Sequence, residues 1–190
     1  MKRAPIHTAR IAEAAEWRLI GLLLERPRSG WHEEVAALVR EVHDVALPEA
    51  AAAARDAAEG KYLRLLGPGG VVSPREVTYQ PFADPGHVLA ELATAYDAFA
   101  FRPRVEEPID HVAVEVAFVG YLLLKEAFVD ACGDEAAAAV TAAARSTFVE
   151  AHLAALAVPF AQRLQAVGPS YLLPIAQLLA ARVPARRLGG

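Results

Sequence analysis

A histidine and a carboxylate one helical turn apart, His111 and Glu115, are the two side chains whose types and spacing could do chemistry. At about 100° per residue they share one helical sector with Leu122 and Glu126. Such a pair can act as general acid and base, or supply two ligands to a metal. Zinc needs three or four ligands, and the neighbourhood offers no H-E-x-x-H and no second His or Cys at ligand spacing. The pair reads more simply as a helix-stabilising contact or a satisfied pair inside a core. No catalytic residue, metal site or cofactor is assigned.

Other chemistries are poorly served. Gly67-Pro68-Gly69-Gly70 lacks the lysine and serine of a phosphate-binding loop, and no strand precedes it. Cys132 is the only cysteine, which rules out an intramolecular disulfide and a cysteine-based zinc site and fits a reducing cytoplasm. The formal net charge is −4 with no lysine- or arginine-rich block, which argues against nucleic acid as a partner. Lys2 and Arg3 begin the chain, but Arg10, Glu13, Glu16 and Arg18 interrupt anything resembling a signal-peptide core. No segment supplies about 18 uncharged apolar residues, so the chain is expected neither to be secreted nor to span a membrane.

The element that must position His111 and Glu115 is the stretch Glu106 to Glu126. Pro108 suits a first helical turn, and Glu107 and Asp110 put negative charge at the positive end of the dipole. Beyond them the stretch is apolar nearly all round, from Val112 through Leu124. A helix without a watery face belongs in the middle of a bundle. Hydrophobic residues make up 55% of the 190, alanine dominates, and one all-helical domain over residues 1–190 is expected.

Around that rod the pattern predicts helices from Thr8 to Glu25, from Trp31 to His43, and from Pro48 through Leu66 with a weak point at Gly60. Gly67 to Gly86 is rich in glycine and proline and reads as a long irregular connection, either a binding surface or a crossover between halves of the bundle. Asp84 or Pro85 starts a helix that ends near Phe101-Arg102-Pro103. The central helix stops near Gly133. Asp134 caps the next helix, which Pro159 breaks or kinks, and Ser170 caps the last. His152 reads as a satisfied histidine, and His7, His32, His43 and His87 as exposed ones. Tyr62, Tyr79, Tyr96, Tyr121 and Tyr171 read as core or rim aromatics. Arg182, Pro184, Arg186 and Arg187 form a basic tail beyond the core.

Taken together, these residues resemble the TorD/DmsD/NarJ family of cytoplasmic chaperones that mature molybdenum-cofactor redox enzymes. Glu107-Pro108-Ile109-Asp110-His111, then Glu115 and Phe118, is similar to the family's E-P-x-D-H-x-x-x-E-x-x-F signature. Tyr96 and Phe101 look like its Y…F segment. Gly67-Pro68-Gly69 and Pro74 to Tyr79 resemble its G-P-G … P-Y-E-S-V-Y loop, with Arg75 where an aromatic is usual. Phe148, His152-Leu153 and Phe160 resemble F-x-x-x-H-L-x-x-W-x-x-x-F, with Leu156 in the tryptophan's place.

The resemblance implies an all-α fold of the TorD-like type and no catalysis. It implies binding of the apo catalytic subunit of a molybdopterin-containing oxidoreductase, often through its twin-arginine signal peptide, until cofactor is inserted. The residues it assigns to the client are Pro108, Asp110 and His111. Beside them, the acidic turn Glu106, Glu107 and Asp110 is expected to meet the leader's arginines, Glu115 is counted with the client-binding residues, and Tyr79 and Phe82 receive the leader's apolar part. Neither nucleic acid nor a membrane is expected as a partner, and monomer and dimer remain open. Two other readings are a helical adaptor with an unrelated client and a hydrolase using His111 and Glu115.

Overall fold

The helix-forming composition is realised throughout. The computed structural model describes residues 6–184, the side chains of Ile6 and His7 excepted, and among these the only β-type pairing is one isolated bridge. In chain order the helices are α1 (Ile6–Leu24), α2 (Trp31–Val39), α3 (Ala46–Ala53), α4 (Glu59–Leu66), α5 (Pro85–Ala98), α6 (Val112–Ala131), α7 (Glu135–Phe148), α8 (Ala154–Val167) and α9 (Leu172–Arg182). A 3₁₀ turn, Glu76–Tyr79, lies between α4 and α5, and a π-helical turn, Val149–Leu153, joins α7 to α8. This is an all-α helical bundle. No described helix is long and apolar enough to cross a membrane.

The apolar rod is α6. It runs antiparallel along α1, with Gly21 of α1 against Val116 and Ala117, and Gly120 of α6 against Ala14, Trp17 and Arg18. Two glycines on facing surfaces let the helix backbones approach closely. At the far end of the contact Arg10 holds Glu126 at 2.6 Å and Asp130 at 3.2 Å, so the buried Glu126 carboxylate is compensated. Around Phe118 an aromatic cluster joins α5, α6 and α7, with Tyr96 and Phe148 at centroid distances of 4.8 and 4.7 Å. Phe101, beyond the end of α5, completes it at 5.2 Å.

Asp84 and Asp134 cap α5 and α7 as expected, accepting from the backbone N–H of His87 and Ala137. Several other boundaries move. α6 begins at Val112 instead of Pro108, because His111 is its cap: Nδ1 accepts from the Ala113 N–H. The expected third helix is two, since the chain turns at Ala54 to bury Ala54 and Ala57 in the core. Alanine permits a helix there, and packing overrides it. α2 stops at Val39, short of His43, and Pro159 lies inside α8 without ending it. Ser170 does not cap α9; its carbonyl accepts from Leu173 N–H, while its buried hydroxyl has no partner among the described residues. Arg182 is no tail residue but an anchor, ion-paired with Glu16 and Asp44. Lys2, Arg3, Arg186 and Arg187 lie outside the described residues.

The α1–α6 contact has a measurable consequence. A Cβ at Gly120 meets its neighbours at 3.4 to 3.5 Å, an ordinary contact, but nothing larger has room. Gly120→Ala should therefore be neutral or stabilising, whereas Gly120→Leu should cost about 1–3 kcal/mol in urea unfolding through overpacking. Equal stability of the two variants would mean that the helices are not so closely apposed.

Candidate functional site

Four segments distant in sequence converge at the N-terminal end of α6. The first is the 3₁₀ turn with Arg75 before it. Its backbone is bolted to the helix start by Glu76 N–H donating to Asp110 O and Val112 N–H donating to Pro74 O, each at 2.9 Å. These form the isolated antiparallel bridge Arg75–His111. The second segment is the turn Pro108–His111, held from α5 by Tyr96, whose hydroxyl donates to Ile109 O at 2.9 Å. The third is the π-helical turn carrying His152, and the fourth is α4 with Tyr62.

Glu76 sits at the centre, fully buried. His152 Nδ1 lies 3.1 Å from both of its carboxylate oxygens, and Gln80 Nε2 donates to Oε1. A buried carboxylate is tolerable only when donors surround it, and here they come from its own loop and from the π-helical turn. The extra residue of a π turn changes where its side chains point, and such turns gather at sites with special packing demands. Asp110 is equally enclosed; its Oδ1 accepts from Arg75 Nε at 2.5 Å.

His111 uses both ring nitrogens. Burial, with Arg75 adding a smaller effect, pushes its pKa down to about 3, so the ring is neutral. Nδ1 accepts from Ala113 N–H, which puts the ring proton on Nε2, and Nε2 donates to Tyr62 Oη at 2.8 Å. Burial likewise drives the phenols of Tyr62 and Tyr96 upward, so both stay protonated.

Glu115 differs from the other acids of the cluster. It is fully buried, and among the described residues neither carboxyl oxygen accepts a hydrogen bond. Burial first, then the neighbouring Glu76 and Asp110 charges and the Glu76 carboxylate as a hydrogen-bond acceptor, raise its pKa well above the ordinary 4.5 and favour the neutral acid. The expected His111–Glu115 contact does not form, because His111 turns to Ala113 and Tyr62. Among the described residues no group of three or more His, Cys, Asp or Glu is placed to hold a metal ion.

The surface above this cluster is a groove of about 380 Å³. The loop 66–75, which contains the glycines and prolines, forms one wall; Glu107, Pro108 and His111 form the other. The expected client contacts therefore divide. Pro108 is exposed and Glu107 half-buried, with Arg26 3.7 Å from its carboxylate. His111 reaches the groove as a wall with almost no exposed area. Asp110 and Glu115 are sealed beneath it, which corrects the expectation that Asp110 is free to meet an incoming arginine: Arg75 already occupies it. Tyr79 is half-buried and braces the loop, its hydroxyl donating to Ser73 O at 2.6 Å. Phe82 is wholly exposed.

Sequence reasoning missed Glu76, Tyr62 and Arg75 as members of the cluster. Glu76 was legible as the acid of the loop motif, but no local pattern pairs it with a histidine 76 positions away.

A family model described as Nitrate reductase delta subunit matches residues 28–162, a span that includes all four converging segments. No curated protein and no solved structure matches.

The protonated Glu115 makes stability depend on pH. Its folded pKa is raised, so its contribution is complete below the unfolded value near 4.5 and declines as pH rises through the folded one. Glu115→Gln should match the wild type near pH 4.5 and become more stable than it by about 1–3 kcal/mol at pH 8. In thermal unfolding about 1 kcal/mol corresponds to roughly 2–4 °C. A difference that does not change between pH 5 and 8 would show an ordinary, solvated carboxylate.

Proposed function

Because the chain belongs to the nitrate reductase delta subunit family, a family of molybdoenzyme maturation chaperones, we propose that it holds the apo catalytic subunit of a molybdopterin-containing oxidoreductase during cofactor insertion. The observation that supports a binding role is the groove itself. It has a deep, hydrogen-bonded frame and an open lip of proline and glycine residues with Glu107 at its edge. Binding surfaces of this kind set a rigid scaffold beneath a loop.

On this reading the site residues take different parts. Pro108 and Glu107 contact the client, and Phe82 offers an apolar anchor on the same loop segment. His111 shapes the wall. Asp110, Glu115 and Tyr79 hold the frame without touching the guest. Glu107 and the exposed Glu106 supply the negative charge a twin-arginine leader would meet, since Asp110 is already neutralised. The protein acts in the cytoplasm as one chaperone domain over residues 1–190, and performs no catalysis. The adaptor reading draws on the same groove but names a different guest.

Two measurements separate these readings. Tagged protein isolated from its own cells should carry a molybdopterin oxidoreductase catalytic subunit, identified by mass spectrometry. Recovery of an unrelated client in its place would favour the adaptor. Glu107→Lys combined with Phe82→Ala leaves the buried frame untouched and should weaken capture of the catalytic subunit about tenfold, a loss of about 1.4 kcal/mol. Undiminished capture by the folded double variant would remove the groove from the proposal.

A further inference from the structure

Two charged side chains line the groove at the entrance to α6, Glu107 on one wall and Arg75 on the other. They differ in what they leave free. The Glu107 side chain is 20% exposed and has Arg26 3.7 Å from its carboxylate. The Arg75 side chain is 37% exposed and spends only Nε, which donates to Asp110. Among the described residues its two outer nitrogens make no hydrogen bond, so a guanidinium at the groove wall keeps most of its donors unused.

The other polar side chains of the walls are spent. His111 is neutral and commits its ring nitrogens to Ala113 N–H and Tyr62. Ser73 Oγ lies 2.8 Å from Thr78 Oγ1 and accepts from Arg75 N–H at 3.2 Å. A guest in the groove therefore meets one charge that has not been answered within the chain, and it is positive.

An arriving arginine finds no seat at the floor. Asp110 has no exposed area, and its Oδ2 has no hydrogen-bond partner among the described residues, so the ion pair with Arg75 is what compensates it. Pulling Arg75 away would strand a buried charge, a larger cost than a half-exposed pair with a guest returns. At the rim, an arginine would share Glu107 with Arg26. A carboxylate suits the free edge of Arg75 much better, because the planar guanidinium fork matches its two oxygens.

We propose that Arg75 sets the specificity of the groove: it receives an acidic side chain of the client segment and itself fills the place at Asp110 that a guest arginine would take. This rests on reading the groove as the client site, and it names the chemistry that the site selects.

The test uses short extended peptides of alanine, leucine and serine, acetylated and amidated, with Glu, Gln or Arg at the two central positions, titrated by calorimetry. The wild type should hold the Glu peptide at least about tenfold more tightly than the Gln and Arg peptides. Arg75→Lys keeps a cation beside Asp110 and should keep that order. Arg75→Gln combined with Asp110→Asn removes both charges together, leaves no buried ion unpaired, and should hold the three peptides alike. A wild type that binds all three alike, binds none, or prefers the Arg peptide overturns the proposal, whatever the variants do. So does an order that survives in the folded double variant, or one that Arg55→Gln abolishes, since Arg55 is exposed and lies outside the groove lining. Capture of the molybdopterin oxidoreductase catalytic subunit without a Glu preference would remove this inference and leave the maturation reading standing. A Glu preference without that capture would remove the maturation reading and keep the role of Arg75.

Discussion

The buried carboxylate of Glu76 is the constraint on which the rest of the site depends. It needs donors in a region that excludes water, and it finds them in His152 and Gln80. Its own backbone N–H is spent on Asp110 O. One residue therefore fixes three pieces of chain: the loop before α5, the entrance to α6 and the π-helical turn after α7. Moving any one of them strands a charge or an amide in a dry interior. This is why the loop motif, the D-H motif and the H-L motif occur together in one chain. They are faces of a single buried network, so their side chains turn inward.

That inward turn changes what is left for a guest. The polar residues that look most like recognition groups, Asp110 and Glu115, are spent on the frame. The lip they support is built from Pro108, the glycine- and proline-rich loop and Glu107. On the proposed reading, shape and apolar contact carry most of the affinity and a small negative rim selects register. The buried acid Glu115 fits the same picture. Two of the cluster's three carboxylates have donors close by, and the third avoids the cost of a buried charge by keeping its proton.

The two surfaces of α6 illustrate how far periodicity carries. The apolar count along Val112–Leu124 correctly placed this helix among other helices, with α1 closing over it through Gly21 and Gly120. It also counted Leu124 among the enclosed residues, whereas Leu124 is half-exposed, and Phe128 beyond it is more exposed still. A hydrophobic side chain records that it avoids water, but not whether its cover is another part of the same chain or a separate molecule.

The sequence by itself determined the helical class, the caps at Asp84 and Asp134, the central place of α6 and, through its motifs, the family. These are properties of a residue and its neighbours within a few turns, where propensity, period and capping act. Only the tertiary structure decided that His111 would turn from Glu115 to Tyr62, that Arg75 would neutralise Asp110, and that Glu76 would reach His152. Those pairings depend on which distant segments share a dry interior, and the strength of a hydrogen bond or charge pair there is set by burial, which no local pattern encodes.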